Sequence, residues 1–367
     1  MTEAFPRLES QPELPEYDRF KFFKKALQFA AIVVIGALIL FALFQLFQVI
    51  KSKTSSSIHI KRHMMGTVVE IKAYGENARS AAKNALDEME KIANQISVFD
   101  AESEVSFINR MAGIAKVAVS PRTFDIISRS IKLSKSLGRS FDITIGPLIN
   151  LWDFNKKEDF VPPPPEKIKE ALKLVNFYSI EIDPQLETVK LLKRGMKLNL
   201  GGVAKGYTLS VARNLLVSSG IRSGLISTGS SITCIGSRPD GKPWRVGIRS
   251  SRNAEELIGT IELVPGQALS TSGDYEQYIE FEGKRYHHLI DPRTGYPASG
   301  CQSVTVLAGD ATAADMISTA VFVMGPWKGL SFLKSLENVE GLIVDSSGKI
   351  HKTDGFKLDP VEDEETK

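Results

Sequence analysis

The sequence predicts an α+β fold preceded by one membrane-spanning helix. Three observations carry this. Residues 26–50 contain no charged side chain. Apolar residues recur with a helical period in 78–96, in 121–137 and after Lys205. Between 223 and 308 the chain is a succession of short strand-like runs broken by turn residues, the pattern of antiparallel strands rather than of repeated βαβ units.

The 367 residues suffice for one large or two medium domains, and a net charge of +3 with 24% charged side chains points to neither a nucleic-acid binder nor an acidic scaffold. Residues 1–25 form a polar tail that ends in Arg19, Lys21, Lys24 and Lys25. The run 26–50 is long enough to cross a hydrocarbon core about 30 Å thick. It is longer than a signal-peptide core, and Gln45 and Gln48 stand where small residues would mark cleavage. Basic residues flank the run on both sides, so charge alone nearly balances, but a short tail before a first span ordinarily stays in the cytoplasm. This predicts an inner-membrane, single-pass protein whose large domain is extracytoplasmic, that is, periplasmic. The two cysteines, Cys234 and Cys301, could pair there or remain separate buried thiols.

Residues 51–59 read as a linker, 60–355 as the folded domain and 356–367 as a disordered acidic tail. The domain is expected to open with a strand over 63–74. A helix over 78–96 follows, with Ala82, Ala85, Leu86, Met89, Ile92, Ala93 and Ile96 on one face. Ser120 and Pro121 open a helix over about 121–137, which Gly138 ends. In 140–152, Asp142 and Thr144 alternate with apolar residues and would share one face of a strand. After Pro162–Pro165 come a helix at about 166–174 and strands near 179–183, 187–192 and 196–200. A helix follows Lys205 to Gly220, with strands through to 308 after it. Helices at 311–324 and 327–335 and strands at 340–345 and 349–352 complete the domain.

Four clusters carry chemistry. Asn199-Leu200-Gly201-Gly202-Val203-Ala204-Lys205-Gly206 places paired glycines and a lysine at a helix start, which suits a phosphate and equally suits a structural turn. Leu269–Tyr275 is a polar, glycine-containing loop. His288 ends a strand beside an Asp291-Pro292-Arg293-Thr294-Gly295 turn, where a histidine is either structural or functional. Asp315 and Thr319 are one helical turn apart and could share a hard cation, or Asp315 could simply complement a helix dipole.

Taken in order, these motifs resemble the ApbE family of FAD:protein FMN transferases over roughly residues 60–335. They are Met65-Gly66-Thr67; Ser97 with Phe99, Ser103 and Asn109; Phe141-Asp142-Ile143-Thr144 with Gly146–Trp152; Asn199–Gly206; Ser270–Gly273; His288 with Ile290–Gly295; and Ala314-Asp315 with Ser318-Thr319-Ala320. The resemblance implies an ApbE-like, T-fold-like domain. It implies transfer of the FMN half of FAD to a Thr or Ser hydroxyl of an acceptor redox protein, with release of AMP and dependence on Mg²⁺. Asp315 and Thr319 match the family's metal ligands, and Gly202 a position whose backbone oxygen completes them. Met65, Phe99, Ser140, Phe141, Asp142, Asn199, Lys205 and Ile290 match flavin-nucleotide contacts. His288 matches a proposed catalytic base. Phe99 stands where Tyr is common and Asn199 where Asp is common, while Thr228-Gly229-Ser230-Ser231 replaces a usual Gly-Gly pair. The same residues would serve an FAD pyrophosphatase, with water in place of the acceptor hydroxyl, or a non-enzymatic flavin-binding protein.

Overall fold

The computed structural model describes residues 19–53, 57–155 and 158–361 and separates into two units, Met1–Ser55 and Ser56–Lys367. In the first unit the described residues form one helix, α1 (Arg19–Lys53). Its 23-residue stretch Phe23–Gln45, with mean hydropathy 2.7, is long and apolar enough to cross a membrane and is not buried against protein. A signal sequence near an N-terminus meets the same criteria. Most of the expected polar tail, residues 1–18, lies outside the described residues, as do 54–56 of the expected linker.

The second unit is α+β. It begins with β1 (Ser57–Met64), so the last three residues assigned to a linker belong to a strand; β2 (Thr67–Tyr74) and α2 (Ala78–Ile96) follow. Next come α3 (Glu104–Arg110), β3 (Val117–Ala118), α4 (Pro121–Ser136), α5 (Gly146–Trp152) and α6 (Pro165–Leu172). A single 3₁₀ turn leads to β4 (Ile180–Asp183), β5 (Thr188–Leu191) and α7 (Gly201–Ser218). The strands β6 (Ser223–Ser227), β7 (Ser231–Ile235), β8 (Trp244–Arg249), β9 (Leu257–Leu263) and β10 (Ala268–Gly273) succeed one another. Then come β11 (Tyr278–Phe281), β12 (Lys284–His287), β13 (Cys301–Ala308), α8 (Ala311–Met324), α9 (Pro326–Lys334), β14 (Glu340–Asp345) and β15 (Ile350–Lys352).

Eight strands form one antiparallel sheet in the order β1-β2-β6-β7-β10-β13-β14-β15. On one face, α8 packs against β10 and β13, and α7 packs against α8, α2 and β7. The core on that face includes Val304, Val306, Ala314, Ala320 and Phe322. On the other face lies the β8–β9 ribbon, whose Trp244, Val246, Ile248, Ile261 and Leu263 pack with Leu269, Leu307 and Phe356. The two-residue period of a strand therefore sends Leu269 to the ribbon and Ser270 and Ser272 toward α8. The cysteines lie apart in this arrangement, Cys234 in the ribbon-side core and Cys301 in the helix-side core, and both are free thiols.

Several expectations need correction. The strand expected over 63–74 is the second arm of a hairpin, with Met65 and Gly66 in the turn at φ 53° and 69°; positive φ at both central residues matches the twist of paired strands. The strand expected over 140–152 is a buried turn followed by α5. Thr144 donates both its amide and its hydroxyl to Asp142 Oδ1, at 2.8 and 2.6 Å, and this local bonding displaces a ladder. Residues 196–200 form only one isolated bridge, Ile145 to Lys197. The segment Leu269–Gly273 is strand rather than loop. Helix α3, capped by Ser103 Oγ accepting from the Ser106 amide at 3.0 Å, had no expected counterpart. The fold also continues past 355: Phe356 is fully buried and Asp359 pairs with Thr260, while 362–367 lie outside the described residues.

Candidate active site

The stretch Asn199–Gly206 starts α7 at Gly201, four residues earlier than expected, so Lys205 sits in the second turn. Asn199, just before the N-cap residue Leu200, accepts at Oδ1 from the Gly201 amide at 2.9 Å in a local turn, and the Asn199 amide donates to the Ile143 carbonyl at 2.8 Å. Asn109 fixes the preceding residue, accepting from the Leu198 amide at 2.6 Å and donating to its carbonyl at 3.1 Å.

Helices α7 and α8 touch at two glycines. A Cβ at Gly206 would stand 2.2 Å from the Ala311 carbonyl oxygen and 2.6 Å from Asp315 Cβ, so only glycine allows this approach. The Gly206 amide donates to Asp315 Oδ2 at 2.8 Å. One turn earlier, a Cβ at Gly202 would stand 3.0 Å from the Phe141 ring and 3.7 Å from Thr319 Oγ1. Phe141, Gly202, Gly206, Asp315 and Thr319 therefore converge, although they come from three distant parts of the chain.

Asp315 is 4% exposed, and among the described residues no Lys or Arg forms an ion pair with it. Burial pushes its carboxyl above the usual range, against the charge of Lys205 and the bonds from Gly206 and Ser270. Hydroxyls surround it. Ser270 Oγ donates to Asp315 Oδ1 at 3.1 Å and shares a 2.8 Å bond with Ser231 Oγ. Ser272 Oγ lies 2.9 Å from Ser318 Oγ and 3.1 Å from Thr319 Oγ1. The donor atoms here are all oxygens, with a single carboxylate, and no cluster of three or more His, Cys, Asp or Glu exists among the described residues.

Lys205 Nζ donates to Ser230 Oγ. Its charge also acts on His288, so Lys205, Asp315 and His288 share one electrostatic neighbourhood. His288 Nδ1 lies 3.1 Å from the Gln277 carbonyl oxygen, which can only accept, so Nδ1 carries the proton. Nε2 then presents its lone pair and has no protein partner among the described residues. Desolvation, with Lys205 acting in the same direction, pushes the His288 pKa down to about 4, so the ring is neutral at pH 7. The following turn is architectural: Asp291 binds Arg293 through three bonds of 2.8, 2.9 and 2.8 Å, and Trp152 Nε1 donates to the Gly295 carbonyl at 2.8 Å.

The other expected contacts fall unevenly around this centre. Met65 lies beside α7, its sulfur 3.7 Å from Thr208 Oγ1, and Thr67 Oγ1 donates to the Thr228 carbonyl at 3.2 Å, beside Ser230. Ser140 is buried, its amide bonded to the Leu137 carbonyl at 3.0 Å. Asp142 spends Oδ1 on Thr144 and Oδ2 on the Phe177 amide at 3.0 Å, so its carboxylate holds the turn that presents Phe141. Ile290 packs its side chain into the Trp152 cluster, and its backbone bridges to Pro297. Phe99 is 83% exposed. Its neighbours Val98 and Ala101 line a cleft of about 330 Å³ with Asn109, Lys197 and Asn199. A shallower groove of about 500 Å³ between α5 and α6 contains none of the expected residues.

Ser230, Ser231, Ser318 and Asn109 stood in the sequence motifs, but without the partners they have here. Serines carry no local signature of such roles, and each partner lies tens of residues away.

Comparison with known proteins identifies the family. The ApbE family profile matches residues 65–343. A FAD:protein FMN transferase of Klebsiella pneumoniae is 32% identical over 283 residues, covering 77% of this chain and 87% of that protein. One of Vibrio cholerae is 31% identical over 318 residues, covering 83% and 91%. Among solved structures, the ApbE protein of Thermotoga maritima superposes with a TM-score of 0.76 at 35% identity, covering 82% of this chain and 97% of that one. The flavinyl transferase ApbE of Pseudomonas stutzeri does so with 0.71 at 27% identity, covering 82% and 94%. With the profile spanning most of the folded unit and the relatives aligned over nearly their whole length, this chain belongs to the ApbE family.

Proposed function

We propose that this protein transfers the FMN moiety of FAD to a Thr or Ser hydroxyl of an acceptor protein, releasing AMP. The names of its relatives support the reaction class, and the convergence of Gly202, Gly206, Asp315 and Thr319 beside Lys205 is the observation that carries it to these residues.

Asp315 and Thr319 would hold Mg²⁺ with the Gly202 carbonyl. The donor set fits a hard cation: all oxygens, and a buried carboxylate without a cationic partner. In an α-helix the Gly206 amide pairs with the Gly202 carbonyl; its donation to Asp315 weakens that claim and favours an outside ligand for the Gly202 oxygen. When bound, Mg²⁺ neutralises charge on the pyrophosphate. With Asp315 as the one carboxylate in the set, these residues would leave room for phosphate oxygens of FAD beside such a cation.

Lys205 leaves Ser230 to bind a phosphate oxygen, and the N-terminus of α7 adds its dipole. Phe141, presented by the Asp142 turn, offers an aromatic face, and Met65, Ser140, Asn199, Ile290 and Phe99 line the path of the dinucleotide. His288 Nε2 accepts the proton of the acceptor hydroxyl as its oxygen attacks the FMN phosphorus. The bond from that phosphorus to the bridging oxygen breaks, and AMP leaves with it. Catalysis is thus mainly positioning and charge stabilisation.

Helix α1 would anchor the enzyme in the inner membrane by a single span, with the catalytic unit periplasmic and its acceptors among extracytoplasmic electron-transfer subunits. Protease accessibility of the catalytic unit in spheroplasts tests the orientation. For the reaction, the full chain in detergent is incubated with FAD, Mg²⁺ and a candidate acceptor. Covalent flavin fluorescence on the acceptor with equimolar AMP is expected. AMP and free FMN with an unlabelled acceptor would instead make it a pyrophosphatase, and bound FAD without either product a flavin-binding protein.

A further inference from the structure

The hairpin β11–β12 leads directly into His288, and a buried carboxylate ties it to the sheet. Asp274, the first residue after β10, is 7% exposed. Arg252, in the loop between β8 and β9, donates to its two oxygens at 2.7 Å each. Arg285 of β12 reaches the same carboxylate at 3.7 Å and lies flat over the Tyr278 ring of β11, 4.0 Å from its centre. One side chain thus joins the ribbon on the far face of the sheet, the end of β10 and the hairpin.

The segment between Asp274 and the hairpin is equally constrained. The Asp274 amide donates to the Gln302 carbonyl at 3.0 Å. The Tyr275 ring closes over Gly273, where a Cβ would meet it at 2.5 Å. Three residues after Asp274, the Gln277 carbonyl accepts from both the His288 amide at 3.0 Å and Nδ1 at 3.1 Å. That carbonyl selects the His288 tautomer, and its position is set from Asp274. A bidentate Arg–carboxylate pair fixes geometry in two directions, which a single contact cannot do.

We infer that Asp274 is a positioning residue for His288: held by Arg252 and Arg285, it fixes the Gln277 carbonyl that retains Nδ1–H and keeps Nε2 bare. Its carboxylate is spent on Arg252 and Arg285. The inference rests on the reading of His288 as the base.

The test uses the full chain in detergent with FAD, Mg²⁺ and acceptor. Asp274→Asn, Arg252→Ala and the exchange Asp274→Arg with Arg252→Asp are compared by kcat, KM for FAD, and ¹⁵N NMR of the His288 ring. Because sub-ångström misplacement of a reacting group is costly, the two single variants should lose about 10- to 100-fold in kcat with KM changed less than about twofold. Their His288 spectra should shift from a single Nδ1–H tautomer to a mixture, and the exchange should recover part of both readouts. A kcat within twofold of the parent in both single variants, or a lower melting temperature with the tautomer unchanged, overturns the inference. The tautomer readout does not depend on His288 being the base: if His288→Asn retains turnover, the base reading fails while the ¹⁵N spectra still decide the positioning claim.

Discussion

The Gly206 amide donates to Asp315 Oδ2 at 2.8 Å across 109 positions of sequence, and this bond joins the phosphate-type turn of α7 to the acidic end of α8. Neither helix alone offers a site. Their contact produces the proposed one because Gly206 has no side chain to hold them apart.

Gly206→Ala should therefore damage both fold and function. Its methyl would lie 2.2 Å from the Ala311 carbonyl oxygen, which forces the helices apart. Overpacking of this kind costs about 1–3 kcal/mol, readable by urea denaturation. The Mg²⁺ concentration for half-maximal turnover should rise in the same variant, and an unchanged value would separate the helix contact from the metal site.

Asp315→Ala should largely abolish turnover, and full activity would refute the metal assignment. Asp315→Asn should separate charge from shape. Burial raises the Asp315 pKa, so the folded state keeps this proton longer than the unfolded chain. Stability from this group is present below its unfolded pKa and is lost as pH rises through the folded one. Near pH 7 without metal, the Asn variant should thus be at least as stable as the parent. With Mg²⁺ and FAD together, the parent should gain melting temperature and the variant should not.

His288→Asn should reduce transfer by about 10²- to 10⁴-fold, the usual worth of a general base. The ring also leaves a mark on stability. Its pKa is pushed down to about 4 from an ordinary 6.5, so its contribution is complete above pH 6.5 and is lost as pH falls toward 4. Urea titrations should show less acid loss of stability over that window in the variant than in the parent. Equal slopes would place the imidazole in a more hydrated setting.

Lys205→Ala should weaken FAD binding by about 10- to 100-fold, as loss of a charge-assisted phosphate contact does, with a smaller effect on kcat at saturation. Lys205→Arg should recover part of the affinity. Isothermal titration with FAD in the presence of Mg²⁺ measures both. The same Ala change should raise the His288 pKa, since one cation beside the ring is gone.

Much of the fold was legible where one element answers to one period. Helix α2 keeps the expected bounds and buries six of the seven expected face residues, with Ala93 only half-buried and Ala78 and Ala81 added to the face, and α8 runs from its Asp310 cap, which accepts from the Ala313 amide at 2.9 Å, to Gly325. The one-turn spacing of Asp315 and Thr319 was readable for the same reason. The 140–152 region was not, because alternation there coincides with Asp142 and Thr144 bonding each other locally, and Pro147 then starts a helix. The site was legible as a set of motifs and not as an arrangement. Asn199 Oδ1 holds the first amide of α7 and Asp142 clamps a turn, bonds decided by partners that the sequence does not name. Lys205 meeting Ser230, or Arg252 meeting Asp274, depends on how strands and helices are stacked.

The two thiols bear on where such a protein can mature. Cys234 and Cys301 sit in cores on opposite faces of the main sheet, and burial pushes the Cys301 thiol up to about 12. The catalytic unit therefore matures without a covalent cross-link. It needs no oxidase or isomerase on its folding route, resists alkylating reagents in the native state, and should refold equally well in dithiothreitol or in air. An enzyme that handles a redox cofactor is thereby insulated, in its own architecture, from the redox state of its surroundings.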